Sequence, residues 1–261
     1  MTVTLPVPGP AGPAPGMPGT GQQVRPAVSD LIAQRVRPLV LAREDLLPVA
    51  PGFAELLGTP GLRRGSTLAV AADGACGTTA VALGLIAEAS SMGAWCAAVE
   101  LEDLGIVAAD ELGVSLDRLV LVPRTGKRFP TVVAALLDGC DIVLVAAPGL
   151  SPADRRRLSD RARERRAVLV VLSGSLAAPT VTSGPWPDGV DVLLSVTGSS
   201  FAGLGAGNGR MLAHRVDVIA TRRAAAPQEK RASLWLPSLP EGISPASPVG
   251  AKAAPASAGV W

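Results

Sequence analysis

From residue 63 onward, short apolar runs alternate with segments of helical length. Residues 66–71 (STLAVA) read as an apolar strand, and 78–91 as a helix with little polar surface. Residues 94–99 and 118–122 read as strands, with a helix over 129–137 (FPTVVAALL) after them. Residues 141–147 (DIVLVAA) and 167–172 (AVLVVL) are continuous apolar runs, the pattern of strands covered on both faces. Between these two runs, Ser151-Pro-Ala-Asp154 opens a charged helix with a Ser-x-x-Asp capping pattern. Strands separated by helices of this length predict βαβ units, hence an α/β fold with a mostly parallel sheet flanked by helices. Beyond residue 189 the helices stop. Residues 190–196, 209–220 and 232–236 read as strands joined by turns, so antiparallel strands are expected at the C-terminal edge of the sheet.

The two ends of the chain break this rhythm. Residues 1–23 are rich in Pro and Gly without periodicity, and a disordered tail is expected there. An N-terminal helical segment over 24–62 follows, with a helix over 27–40 that places Val28, Leu31, Ile32, Val36 and Leu39 on one side. The core is expected over 63–237 and a second disordered tail over 238–261. Overall, 48% of the 261 residues are hydrophobic and only 3% aromatic, so Val, Leu, Ile and Ala must build the core. Lys and Arg number 24 against 22 acidic residues, a net charge of +2, which excludes a strongly polybasic nucleic-acid binder and an acidic tail protein. Cys76, Cys96 and Cys140 form no CxxC pair, so neither a disulfide framework nor a metal site is expected, and a reduced cytoplasmic setting fits. The N-terminal prolines do not suit a secretory signal. Residues 67–87 carry only Asp73 as a charge and match a membrane span in length, yet their Ala, Gly and Thr content and the DGACG turn argue for buried soluble structure.

The strand over 66–71 runs into AADGACGTTA and then a helix, the place where helix amides and dipole favour a phosphate. A working P-loop needs Gly-x-x-x-x-Gly-Lys-Ser/Thr. Aligned on Thr78 and Thr79, this loop has Ala71 at the first glycine, Cys76 at the second and Gly77 at the lysine, with Gly74 adding flexibility between them. The hydroxyl of Thr78 remains; the cation is gone. The strand that should end on a metal-positioning Asp begins with Asp141 instead, roughly 16 Å from the ligand-binding edge at ~3.3 Å per residue. Ala146 holds the position that matters. Glu100, Glu102 and Asp103 follow the strand over 94–99 at the correct edge for a water-activating base, or form a solvated acidic loop. A dinucleotide site is the alternative, since Glu100 lies about 20 residues beyond the turn, but Gly-x-Gly-x-x-Gly is missing.

Taken in order, Gly61-Leu-Arg-Arg-Gly65, the ADGACGTT loop, Leu85-Ile-Ala-Glu-Ala89, Val99-Glu-Leu-Glu102 and Asp141-Ile-Val-Leu-Val145 resemble the landmarks of the RecA ATPase core. Phe201-Ala-Gly-Leu-Gly-Ala-Gly-Asn-Gly-Arg210 and Leu234-Trp-Leu-Pro237 resemble motifs of the actinobacterial ImuA-type proteins, over residues 45–237 in all. The resemblance implies a RecA-like fold with Glu102 at the water-activating acid, while the P-loop Lys and the metal-coordinating Asp fall on Gly77 and Ala146. It implies a non-catalytic adaptor of the DNA damage (SOS) response and error-prone translesion synthesis. Its partners would be an ImuB-like Y-family polymerase homologue and an error-prone DnaE-type polymerase, with DNA met directly or through them. No cofactor is expected; ATP binding at the degenerate loop stays open, without hydrolysis, and localisation would be cytoplasmic, at the nucleoid after damage. Two alternatives stay open: a DNA-dependent ATP-binding or ATP-hydrolysing recombinase relative that uses Thr78 and Glu102, and an oligomerisation module without a DNA link.

Four further features bear on function. Arginines at 155–157, 161, 163, 165 and 166 crowd one helix, either as a DNA-contacting face or, with Asp154, Asp160 and Glu164 interleaved, as a solvated exterior. Gly203, Gly205, Gly207 and Gly209, with Arg210, form a candidate hairpin loop for DNA or a partner. His214, the one histidine, has no acidic or cysteine neighbour in sequence and is expected to be structural. Val260 and Trp261 at the end of the tail are candidate partner-docking residues, because aromatics are enriched among binding anchors.

Overall fold

The computed structural model describes residues 45–72, 77–146, 150–173, 190–204, 209–223 and 228–237. The expected helix over 27–40 and both expected tails lie outside them. Among the described residues, the chain runs β1 (Leu46–Pro48), α1 (Pro51–Leu57), β2 (Gly61–Arg63), β3 (Thr67–Ala72), α2 (Thr78–Ser91), β4 (Cys96–Val99), α3 (Ile106–Glu111), β5 (Leu119–Val122) and α4 (Phe129–Gly139). It continues through β6 (Ile142–Ala146), α5 (Pro152–Arg165), β7 (Val168–Ser173), β8 (Val192–Leu204), β9 (Gly209–Arg222) and β10 (Gln228–Leu236).

β3 to β10 form one sheet in the order β10-β9-β8-β3-β7-β6-β4-β5, while β1 and β2 pair in a separate antiparallel ribbon. β8, β3, β7, β6, β4 and β5 are parallel. β9 and β10 extend the sheet antiparallel beyond β8. The fold is therefore the α/β class expected from the alternation of strands and helices.

The central strands are apolar at every position because both faces are covered. Ile142 and Leu144 of β6 pack into a cluster with α1, α2 and β3. Val143 and Val145 point the other way, into a cluster with Phe129, Val133 and Leu137 of α4 and Leu158 and Ala162 of α5. β7 divides its side chains in the same way, with Val168 and Val170 on one face and Leu169 and Val171 on the other. α5 starts as its sequence suggests: the Ser151 hydroxyl accepts the Asp154 backbone N–H at 3.1 Å.

Residues 45–62, placed by sequence in a helical segment ahead of the core, instead form β1, α1 and β2. Leu47, Val49, Phe53, Leu56, Leu57 and Leu62 are buried in the main cluster, so the core starts before position 63. Pro48 and Pro51 divide the apolar residues into pieces too short to show a period. α3 also has no counterpart in the sequence pattern. It is six residues long with Ile106 and Val107 exposed and only Ala109 buried, so no apolar stripe announces it. β8 runs to Leu204, eight residues past its expected end at 196, because β9 supplies backbone partners as far as Gly209.

Leu144 sits at the centre of β6 with 0% exposure. Leu144→Ala should lower stability by about 2–5 kcal/mol, read by urea denaturation of the full chain.

Candidate functional site

In a parallel sheet the carboxyl ends of the strands collect the loops that bind ligands. Here that edge carries the ends of β3, β4, β5 and β6 and the start of α2. Gly77 is the N-cap of α2, at φ 123°, and no side chain caps the helix. Thr78 is buried and Thr79 half-buried. Gly74 and Cys76 lie outside the described residues.

The position that aligns with the P-loop lysine is closed by a neighbour. β8 and β9 continue past the end of β3, and their register sets His214 opposite Phe201. The two rings stack at 4.4 Å with 18° between their planes. A Cβ built on Gly77 would lie 2.9 Å from His214 Cε1 and 2.9 Å from Val216 Cγ1. A side chain at 77 would therefore collide with β9 even if the left-handed backbone tolerated one. The structural role expected for His214 is thus one of packing. Its Nε2 is buried without a hydrogen-bond partner among the described residues, and burial holds the imidazole below its ordinary value.

Two of the three acids at this edge, Glu100 and Glu102, are held by neighbours. Glu102 receives Arg124 through Nε at 2.9 Å and Nη2 at 2.8 Å, a two-point clamp that holds its carboxyl below the usual range. Glu100 adopts φ 57°, and its Oε1 accepts the Thr125 N–H at 2.6 Å, the Thr125 hydroxyl at 2.5 Å and the Gly126 N–H at 3.2 Å. These three bonds tie the end of β4 to the segment after β5. Ala146 ends β6 with a half-buried methyl, and Asp141 lies at the opposite end of that strand, bound to Arg64 at 2.7 Å. The structure thus gathers Gly77, Thr78, Thr79, Glu102 and Ala146 at one edge, but it gives Glu102 a cationic partner. Arg124 and Thr125 were not singled out from the sequence; the available signal was their place just after an apolar run in a parallel fold.

The glycine-rich candidate loop divides differently from the sequence expectation. Gly203 belongs to β8 and sits at a register shift with φ 88°, a bulge suited to glycine, while Gly209 and Arg210 begin β9. Gly205 and Gly207 lie outside the described residues, as do Val260 and Trp261. In Leu234-Trp-Leu-Pro237, Leu234 and Leu236 are buried in the main cluster, so this motif helps to hold β10. On α5, Arg161 and Arg165 both pair with Asp138 of α4, which links the two helices. Cys96 is buried, and its thiol is pushed up to about 12, mainly by desolvation.

Two outcomes follow from the contact between Gly77 and His214. Gly77→Lys, which restores the missing cation on paper, should lower Tm, since the positive φ alone costs ~1–3 kcal/mol, and should give no ATP-dependent gain in Tm. His214 also links stability to pH. Its folded pKa lies below the unfolded value near 6.5, so the unfolded chain takes up the proton first. The stabilisation is complete above about pH 6.5 and declines as pH falls through that value towards the folded pKa. His214→Leu should flatten denaturation midpoints measured between pH 7 and 5.5.

Residues 55–178 match the family model described as the MT3502 N-terminal domain. That stretch runs from within α1 to just past β7, so it contains Gly77, Glu102, Arg124 and Ala146 and stops short of His214. The chain is also 29% identical over 131 residues to the uncharacterized protein Rv3395c of Mycobacterium tuberculosis (strain ATCC 25618 / H37Rv). The alignment covers 49% of this chain and 64% of that relative, less than two thirds of its length.

Proposed function

We propose that this chain is a RecA-like accessory protein of the actinobacterial ImuA type, a non-hydrolysing adaptor in the DNA damage response and error-prone translesion synthesis. It would work with an ImuB-like Y-family polymerase homologue and a DnaE-type polymerase in the cytoplasm, at the nucleoid after damage. The observation that carries the non-hydrolysing part is the packing of His214 on Gly77. The ammonium that would meet a triphosphate is missing, and the space where its side chain would begin is filled. Ala146 in place of a metal-positioning Asp and the Arg124 clamp on Glu102 support the same reading. The partners rest on the resemblance of residues 201–210 and 234–237 to ImuA-type motifs. No described helix is long and apolar enough to cross a membrane, which is compatible with this setting.

The test combines turnover and assembly. With single-stranded DNA and Mg-ATP, the purified chain should release phosphate at the background rate, and Thr78→Ala should leave that rate unchanged. On gel filtration it should co-elute with the ImuB-like protein, and a chain ending at Pro237 should lose the partner if Trp261 is the anchor. DNA-stimulated hydrolysis abolished by Thr78→Ala would overturn the adaptor reading in favour of a recombinase relative.

A further inference from the structure

At the opposite edge of the sheet, where the parallel strands begin, a cavity of about 500 Å³ opens between the β2–β3 turn, the last turn of α5, the start of β8 and the end of β9. Arg63, Arg64, Arg163, Arg222 and Arg223 line it, and Asp191 is the one acidic residue among its described walls. In a chain of net charge +2, this is a local concentration of cation rather than a general one.

Backbone bonds hold the frame. The Thr67 N–H donates to Asp191 Oδ2 at 2.9 Å, the Asp191 N–H to the Thr67 carbonyl at 2.8 Å, and the Arg223 N–H to the Asp191 carbonyl at 3.1 Å. The starts of β3 and β8 and the end of β9 are thereby fixed together, and the Asp191 carboxylate already holds a partner. Gly65 has φ 79°, and a Cβ there would lie 3.3 Å from Arg163 Cα and 3.3 Å from its carbonyl oxygen. The turn bearing Arg63 and Arg64 is therefore pressed directly onto α5. Arg64 is bound to Asp141, and Arg163 lies 3.4 Å from Asp160. Arg63 and Arg222 form no side-chain ion pair or hydrogen bond among the described residues. Guanidinium groups set around a polar cavity match phosphate oxygens in pairs. Among the described walls no side chain is aromatic, so they offer a base nothing to stack on.

We propose that this cavity binds a run of phosphate groups, read through their charge and spacing and without regard to base, as in a nucleic-acid backbone. The site lies at the far edge from the α2 start and does not depend on the adaptor reading.

The experiment uses the full chain and two probes, a labelled single-stranded oligodeoxynucleotide followed by anisotropy at 50–200 mM NaCl, and inorganic tripolyphosphate followed by its effect on Tm. Arg63→Ala/Arg222→Ala is compared with Lys127→Ala/Arg128→Ala, which removes the same charge from the carboxyl edge. The cavity variant should bind the oligonucleotide at least tenfold more weakly, with a salt slope flatter by about 1.4, from ~0.7 per lost single-strand contact. The control variant should stay near wild type. Arg63→Gln and Arg222→Gln, made singly, should shift affinity the same way if the double variant folds poorly. A Tm rise with tripolyphosphate alone, lost in the cavity variant, supports the site and assigns it to free phosphate chains rather than a strand. Equal losses in the two double variants, or no binding of either probe, would overturn the proposal.

Discussion

A parallel sheet covered by helices on both faces has no room for charged side chains along its central strands, and that exclusion organises this molecule. From Ile142 to Val145 every residue of β6 is fully buried, and successive side chains enter opposite clusters. The backbone groups satisfy one another sideways, so charge can stand only at the strand ends. Asp141 marks one end of β6, where it meets Arg64. Ala146 marks the other.

The two edges have taken different chemistry. At the carboxyl edge two described acids close on neighbours, Glu100 on the Thr125–Gly126 backbone and Glu102 on Arg124, and Gly77 packs against His214. The left-handed backbone at Glu100 costs on the order of 1 kcal/mol, and the three hydrogen bonds accepted by its Oε1 offset it. These contacts bind β4 to the segment after β5 and set β9 against the start of α2. Among the described residues lining the amino-edge cavity, five arginines stand beside one acid, Asp191. Two acids at this edge, Asp191 and Asp141, each accept a backbone N–H, from Thr67 and Trp95, which positions strand starts as well as balancing charge.

The parallel part of the sheet was legible because continuous apolar runs have few other homes, and the observed β3, β6 and β7 fall within a residue of the runs that suggested them. The capped start of α5 was legible because Ser151 and Asp154 interact locally. α1 and the β1–β2 ribbon were not, since their apolar residues are interrupted by prolines and acquire meaning only against α2 and β10. The chemistry of Glu102 was half legible. Its position after β4 could be read, but its Arg124 partner lies 22 residues away, joined by strand pairing that no local pattern encodes.

The amino-acid sequence by itself determined the class of fold, the order of strands and helices, and that glycine stands at position 77 and alanine at position 146. Those are matters of residue type and short-range period. Tertiary structure alone decided that β9 crosses to place His214 on Gly77, that Arg124 neutralises Glu102, and that arginines 63, 64, 163, 222 and 223 surround one cavity. Each brings together residues that only the sheet makes neighbours, because hydrogen-bonded register, rather than distance along the chain, sets which side chains meet.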